Sequence, residues 1–156
     1  MRRRAYLSLG SNMGDRGAFL ATGVAMVPGG DRSRTSLVYE TGPVGGVPQD
    51  DFWNLVLELE TEASPRDLLD RARAAERACG RTREVRWGPR TLDVDVLLVG
   101  DLVSDDPEIL VPHPRLWERA FVLVPLRELA PDLVSEAQVR AARGRVAPLG
   151  TLESVR

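Results

Sequence analysis

The chain has 156 residues, of which 43% are apolar and 28% charged, with a formal net charge of −2 and one cysteine. That length suits a single domain over residues 1–156, able to bury roughly 70% of the surface its unfolded chain would expose. The lone Cys79 excludes an internal disulfide and a cysteine-rich zinc site, and the acidic balance argues against a general nucleic-acid binder. No run approaches the roughly 20 apolar residues that span a bilayer. Arg2-Arg3-Arg4 precede an apolar run that stops at Gly10-Ser11-Asn12, short of the roughly 7–15 residues of a secretory signal. A soluble, cytoplasmic chain is therefore expected. All 21 basic residues are arginine. A genomic coding bias would account for this, but the consequence is chemical. No Walker lysine, Schiff-base lysine or kinase-type lysine exists, so phosphate chemistry must rest on arginine, metal ions or backbone amides.

In chain order, Arg4 to Gly10 alternates and is rich in strand formers. Gly10-Ser11-Asn12-Met13-Gly14-Asp15 lacks phosphate-loop spacing and reads as a tight strand-to-helix turn, with Asn12 or Asp15 as cap. Gly14 to Val27 reads as a helix closed by Pro28-Gly29-Gly30, and Arg34 to Glu40 as a second strand. Thr41 to Asp51, with three glycines and two prolines, is a long loop of the kind that carries function. Trp53 to Glu62 alternates through Leu55, Leu57 and Leu59, with Asn54, Glu58 and Glu60 on the opposite register.

Ser64-Pro65 caps a helix whose apolar positions run to Cys79 and which Gly80 ends. Arg81 to Arg90 is an arginine-rich loop, and Thr91 to Val99 a fourth strand. Val111-Pro112-His113-Pro114 is a stiff turn, with a trans Val111–Pro112 bond as the ordinary expectation. Arg119 to Leu129 is a helix, and the tail after Asp132 carries weak signals. Strands mixed with helices in this order predict an α+β fold. A ferredoxin-like core, a mostly antiparallel sheet with helices packed on it, falls in that class.

Chemistry concentrates in Arg90-Thr91-Leu92-Asp93-Val94-Asp95. Asp93 and Asp95 lie two apart on a strand and share a face. They are either a solvated pair or a site for a hard cation such as Mg²⁺, which compensates two repelling carboxylates. Four arginines in the ten residues before Thr91 are either a solvated basic loop paired with those acids or a phosphate clamp of bidentate forks. His113, the one histidine, is fixed between two prolines, as a surface residue or as a binding one. Phe52, Asn54 and Phe121 read singly as packing, and together as a seat for a flat heterocycle.

The strings Leu9-Gly10-Ser11-Asn12, Tyr39-Glu40-Thr41 with Pro43, Phe52-Trp53-Asn54, Arg86-Trp87-Gly88-Pro89-Arg90-Thr91-Leu92-Asp93-Val94-Asp95, Val111-Pro112-His113-Pro114-Arg115 and Glu118-Arg119-Ala120-Phe121 occur in that order. Spanning about positions 5 to 131, they resemble the 6-hydroxymethyl-7,8-dihydropterin pyrophosphokinase family. The resemblance implies a monomeric ferredoxin-like enzyme of folate synthesis that moves a diphosphate from ATP to the pterin hydroxymethyl group, releasing AMP. It implies Asp93 and Asp95 as ligands of two Mg²⁺ ions, with Arg81 and Arg90 neutralising the transferred group. Glu76, Arg83, Arg90, His113 and Arg119 become ATP-site residues. Phe52 and Phe121 would sandwich the pterin, Asn54 would bond its edge, Trp87 would close over it, and Thr41, Pro43 and Val44 would line its pocket. Two rival readings stand beside it: a metal-dependent phosphohydrolase on the same residues, and a non-catalytic nucleotide-binding module with a ferredoxin-like core. A nucleotide module needs no acid pair, and Phe52, Asn54 and Phe121 favour an enzyme with an acceptor.

Overall fold

The computed structural model describes residues 1–42, 49–80 and 91–156. The strands are β1 (Arg3–Ser11), β2 (Arg32–Thr35), β3 (Val38–Thr41), β4 (Phe52–Thr61), β5 (Asp93–Val99) and β6 (Val146–Gly150). The helices are α1 (Arg16–Met26), α2 (Pro65–Ala78), α3 (Ala120–Leu129), α4 (Glu136–Ala141) and α5 (Leu152–Val155). The strands form one six-stranded sheet in the order β5-β1-β4-β3-β6, with β2 also on β4, and every pairing is antiparallel. The expected β-α-β-β-α-β succession is present, with the second strand broken in two.

Alternation in β1, β4 and β5 sorts the side chains onto two faces. One face carries Leu7, Leu9, Leu55, Leu57, Leu59, Val94 and Val96, buried under α1 and α2 against Leu20, Leu68, Ala72 and Ala75. Helix α2 starts at a capping box, in which Ser64 Oγ accepts from Asp67 N–H and the Asp67 carboxylate accepts from Ser64 N–H, with Pro65 at the first position. Asp15 is the α1 cap, accepting from Ala18 N–H at 3.0 Å.

The other face carries Tyr6, Val56 and Leu97 under α3, against Leu116, Leu123 and Leu126. Here the core is partly polar. Buried Glu58 accepts from Tyr6 Oη at 2.8 Å and from Arg34 Nε at 2.8 Å, and Arg34 Nη2 donates to Leu129 O at 2.7 Å. Tyr39 Oη donates to Glu128 at 2.6 Å, and Leu37 N–H to the same carboxylate. These bonds fix the C-terminal half of α3 to the sheet and leave its N-terminal end for other work.

Two expectations are revised, and the weakly patterned tail after Asp132 carries structure. The predicted strand Arg34 to Glu40 is two strands, because Ser36 Oγ takes the Val56 N–H at 2.9 Å and Ser36 N–H goes to Val56 O. The register moves by one residue there, from Thr35↔Leu57 to Tyr39↔Asn54. The Val111–Pro112 bond is cis rather than trans. The tail is ordered structure: β6 pairs with β3, and Leu152 and Val155 of α5 pack on the α1–α2 side of the core. Among the described residues no helix is long and apolar enough to cross a membrane.

Candidate active site

The sheet face under α3 runs out of helix at one end, where β1 and β3 finish and β4 and β5 begin. Asp93 pairs with Gly10, Gly10 with Asn54, and Asn54 with Tyr39, so one row crosses four strands. Asp95 lies in the next row of that face, opposite Ser8. Asp93 and Asp95 are half-buried. At the usual strand spacing, the Asp93 and Asn54 backbones are about 10 Å apart, with β1 between them.

Gly10 makes that row possible. A Cβ there would overlap Asn54 Oδ1 and meet Phe52 Cδ1 at 3.3 Å. With no side chain, the backbone of β1 lets the Asn54 amide lie over it. Buried Asn54 then donates through Nδ2 to Thr41 Oγ1 at 2.6 Å, fixing which way the amide points. Gly10, expected as the last residue of the first strand and the first of the turn, lies within β1; Ser11, expected in the turn, also belongs to β1, and the turn begins at Asn12.

Glu76 comes from the opposite side. It is buried at the end of α2 and accepts the Val94 N–H at 3.0 Å. Val94 sits between the two aspartates, so this bond secures the strand that presents them.

His113 is half-buried near Asp93 and Arg119. Burial holds its pKa below the ordinary value, Arg119 and Arg115 push the same way, and Asp93 opposes them. The ring is therefore neutral at pH 7. Its Nδ1 accepts the Arg115 N–H at 3.2 Å, which puts the ring proton on Nε2. His113 is thus a neutral donor held by its neighbours. Arg119 precedes α3, and its guanidinium lies 5.5 Å from the centre of the Phe121 ring. Thr41, Gly42, Arg115, Arg119, Phe121 and Arg143 are among the lining of one open cavity of about 580 Å³.

Of the expected site residues, Thr41, Phe52, Asn54, Asp93, Asp95, His113, Arg119 and Phe121 gather at this end of the sheet. Glu76 reaches it through the backbone of β5. Pro43, Val44, Arg81, Arg83, Trp87 and Arg90 lie outside the described residues. Among the described residues no group of three or more His, Cys, Asp or Glu side chains is placed to hold a metal. Two same-face carboxylates of hard oxygen nonetheless fit Mg²⁺, which commonly takes one or two carboxylates and fills its octahedron with water and substrate phosphates.

Sequence reasoning missed Gly10, whose signal is a glycine inside an alternating strand. It also missed Arg143, which comes from the tail and had no local pattern to betray it.

A family model described as 7,8-dihydro-6-hydroxymethylpterin-pyrophosphokinase (HPPK) matches residues 6–131. A relative from Bacillus subtilis (strain 168) is 43% identical over 140 residues, covering 88% of this chain and 84% of its own. One from Methylorubrum extorquens is 46% identical over 151 residues, covering 94% of this chain and 96% of its own. Both are named 2-amino-4-hydroxy-6-hydroxymethyldihydropteridine pyrophosphokinase. A crystal structure described as HPPK-DHPS in complex with substrates superposes with a TM-score of 0.61 at 11% identity, over 91% of this chain and 42% of that one. At that identity the superposition speaks to the fold alone, and the chain spans less than half of that larger protein. By its sequence matches, the chain belongs to the 7,8-dihydro-6-hydroxymethylpterin-pyrophosphokinase family.

Proposed function

We propose that this pyrophosphokinase of folate biosynthesis moves a diphosphate from ATP to the hydroxymethyl oxygen of 6-hydroxymethyl-7,8-dihydropterin, acting as a cytoplasmic monomer with two Mg²⁺ ions. The observation that carries this reading is the Asp93–Gly10–Asn54 row. Along it the Asp93 and Asn54 backbones are about 10 Å apart on one sheet face, which supports reading them as a cation site beside an acceptor seat. A hydrolase would need only the first of these.

Asp93 and Asp95 would hold the cations, which when bound supply positive charge against the triphosphate oxygens. Asn54, its amide oriented by Thr41, bonds the pterin edge, and Phe52 and Phe121 bracket its faces. The resemblance assigns Trp87, Pro43 and Val44 to the pterin as well. The hydroxymethyl oxygen attacks the β-phosphorus, the bond from that phosphorus to the bridging oxygen of the α-phosphate breaks, and AMP leaves with the bridging electrons. The alcohol proton passes to the Asp95 carboxylate. Arg81 and Arg90 neutralise charge on the group in transit, a role that needs placement more than covalent chemistry. Glu76, Arg83 and Arg119 serve the nucleotide, and neutral His113 donates its Nε2–H to a phosphate or ribose oxygen.

Incubation with ATP, Mg²⁺ and the hydroxymethyl dihydropterin tests this. AMP formation that requires the pterin is the expected result. Release of ADP or inorganic phosphate at the same rate without pterin would replace this reading with a phosphohydrolase. Arg90→Ala should lower turnover by orders of magnitude at saturating ATP; a change confined to ATP affinity would make Arg90 a ground-state contact only.

A further inference from the structure

The two aromatic rings assigned to the acceptor seat come from different parts of the chain, Phe52 from β4 and Phe121 from α3, and the segment 143–146 of the tail touches the neighbours of both. At the α3 end, Arg143 O accepts the Ala120 N–H at 3.0 Å, and Arg143 N–H donates to Glu118 O at 3.0 Å. Two residues on, Arg145 O accepts the Gly42 N–H at 3.4 Å, just past β3. The Arg145 guanidinium donates through Nη2 to Asp51 Oδ2 at 2.7 Å, one residue before Phe52. Val146 then pairs with Thr41, which itself pairs with Phe52. Asp51 is held from its other side as well: Arg16 Nη1 donates to Asp51 O at 3.0 Å, while the Arg16 guanidinium lies 4.4 Å from the centre of the Trp53 ring.

We propose that Arg145 is a positioning residue for the acceptor. Through Asp51 and Gly42 it fixes the β3–β4 rim of the pocket, while Arg143 fixes the same segment to the start of α3, so the tail sets the gap between Phe52 and Phe121. The inference rests on the assignment of those rings to the pterin seat. The Arg145 side chain is 71% exposed and that of Asp51 27%. An ion pair so open to water adds little to global stability. Its placement at the pocket rim is therefore what the pair contributes, and its loss should appear in acceptor affinity rather than in melting.

The test uses the full chain and measures two affinities: that of the hydroxymethyl dihydropterin in the presence of a non-hydrolysable ATP analogue and Mg²⁺, and that of the analogue alone. Arg145→Ala should weaken pterin binding about five-fold and raise its KM correspondingly, with kcat and analogue affinity within two-fold of the parent. Arg145→Lys should recover part of the loss, and Asp51→Asn combined with Arg145→Ala should be no worse than the worse single variant. Unchanged pterin affinity in Arg145→Ala, or equal weakening of pterin and analogue, overturns the proposal. Phe121→Ala separates its premise from it. If Phe121→Ala binds pterin as the parent does, the seat itself is misassigned. If Phe121→Ala is weakened and Arg145→Ala is not, only the role of the tail falls.

Discussion

The two faces of the sheet are made from the same strands and differ in almost everything else. Under α1 and α2, β1 and β4 present an unbroken aliphatic surface of Leu7, Leu9, Leu55, Leu57 and Leu59, each fully buried. On the α3 face the alternate positions of β1, β4 and β5 include Ser8, Gly10, Asn54, Glu58, Asp93 and Asp95. Only the middle of that face is covered by apolar side chains. Burial on the first face supplies the free energy that lets the second face hold charged and polar groups close together at a cost. On the proposed function, chemistry and stability are separated by one residue of register, and substitutions on neighbouring positions should fail in different ways.

The sharpest way to break that contrast is Asp95→Ala. We expect turnover to fall by roughly a thousandfold or more, about 4 kcal/mol of transition-state stabilisation, with the melting temperature unchanged and pterin affinity largely kept. Turnover within ten-fold of the parent would remove Asp95 from the mechanism. Leu57→Ala is the opposite case. Leu57 is fully buried under the two helices, and its truncation should cost about 3 kcal/mol of stability, read from urea denaturation. At temperatures where the variant stays folded, kcat should be close to the parent's. A large kcat loss in folded Leu57→Ala would mean that the faces are not independent.

Gly10→Ala sits on the boundary between those cases. Alanine suits a strand better than glycine by up to about 1 kcal/mol, which offsets part of the cost of moving a buried amide, so the net loss of stability should be small. The added methyl overlaps Asn54 Oδ1, however, and must displace the amide from Thr41. Pterin affinity should drop about ten-fold, near 1.4 kcal/mol, with nucleotide affinity unaffected; equal pterin binding would show that the Asn54 orientation is not used.

What could be read beforehand follows the same division. The α1–α2 face was legible because period-2 leucines in β1 and β4 and the Ser64-Pro65 start of α2 are local signals. The carboxylate side was legible because Asp93 and Asp95 stand two apart within one strand. The proposed acceptor side is made by partners distant in sequence: Asn54 meets Thr41 across 13 residues, and Asp51 meets Arg145 across 94. Nothing in Arg143-Gly144-Arg145-Val146 marks that role. Strand β6 was invisible for a related reason. Its sequence, Val146-Ala147-Pro148-Leu149-Gly150, has a proline that only an edge strand tolerates, and its pairing with β3 rather than its own pattern makes it a strand. Gly10 closes the expected first strand, but its role beneath the Asn54 amide is hidden until its cross-strand partner is known.

The smallest expected effect lies under the C-terminal half of α3, where the polar face becomes core. Burial alone would raise the pKa of Glu58, but the hydrogen bonds from Arg34 and Tyr6 outweigh it and hold the carboxyl below its ordinary value of 4.5. Tyr6, buried and donating to the same carboxylate, is pushed up to about 12. Because the unfolded chain takes up the Glu58 proton before the folded one does, the stability due to this group is complete above pH 4.5. It is lost as the pH falls through the lower folded value. Glu58→Gln keeps the shape and one of the two acceptor oxygens, and cannot titrate. Since the Arg34 side chain is 57% exposed and keeps its water, the cost near pH 7 should be only about 1 kcal/mol. The gap in melting temperature between parent and variant should therefore narrow below pH 4.5, while kcat at neutral pH stays level. A gap that is constant with pH would mean that the Glu58 charge contributes nothing and that the carboxylate acts here only as a neutral acceptor would.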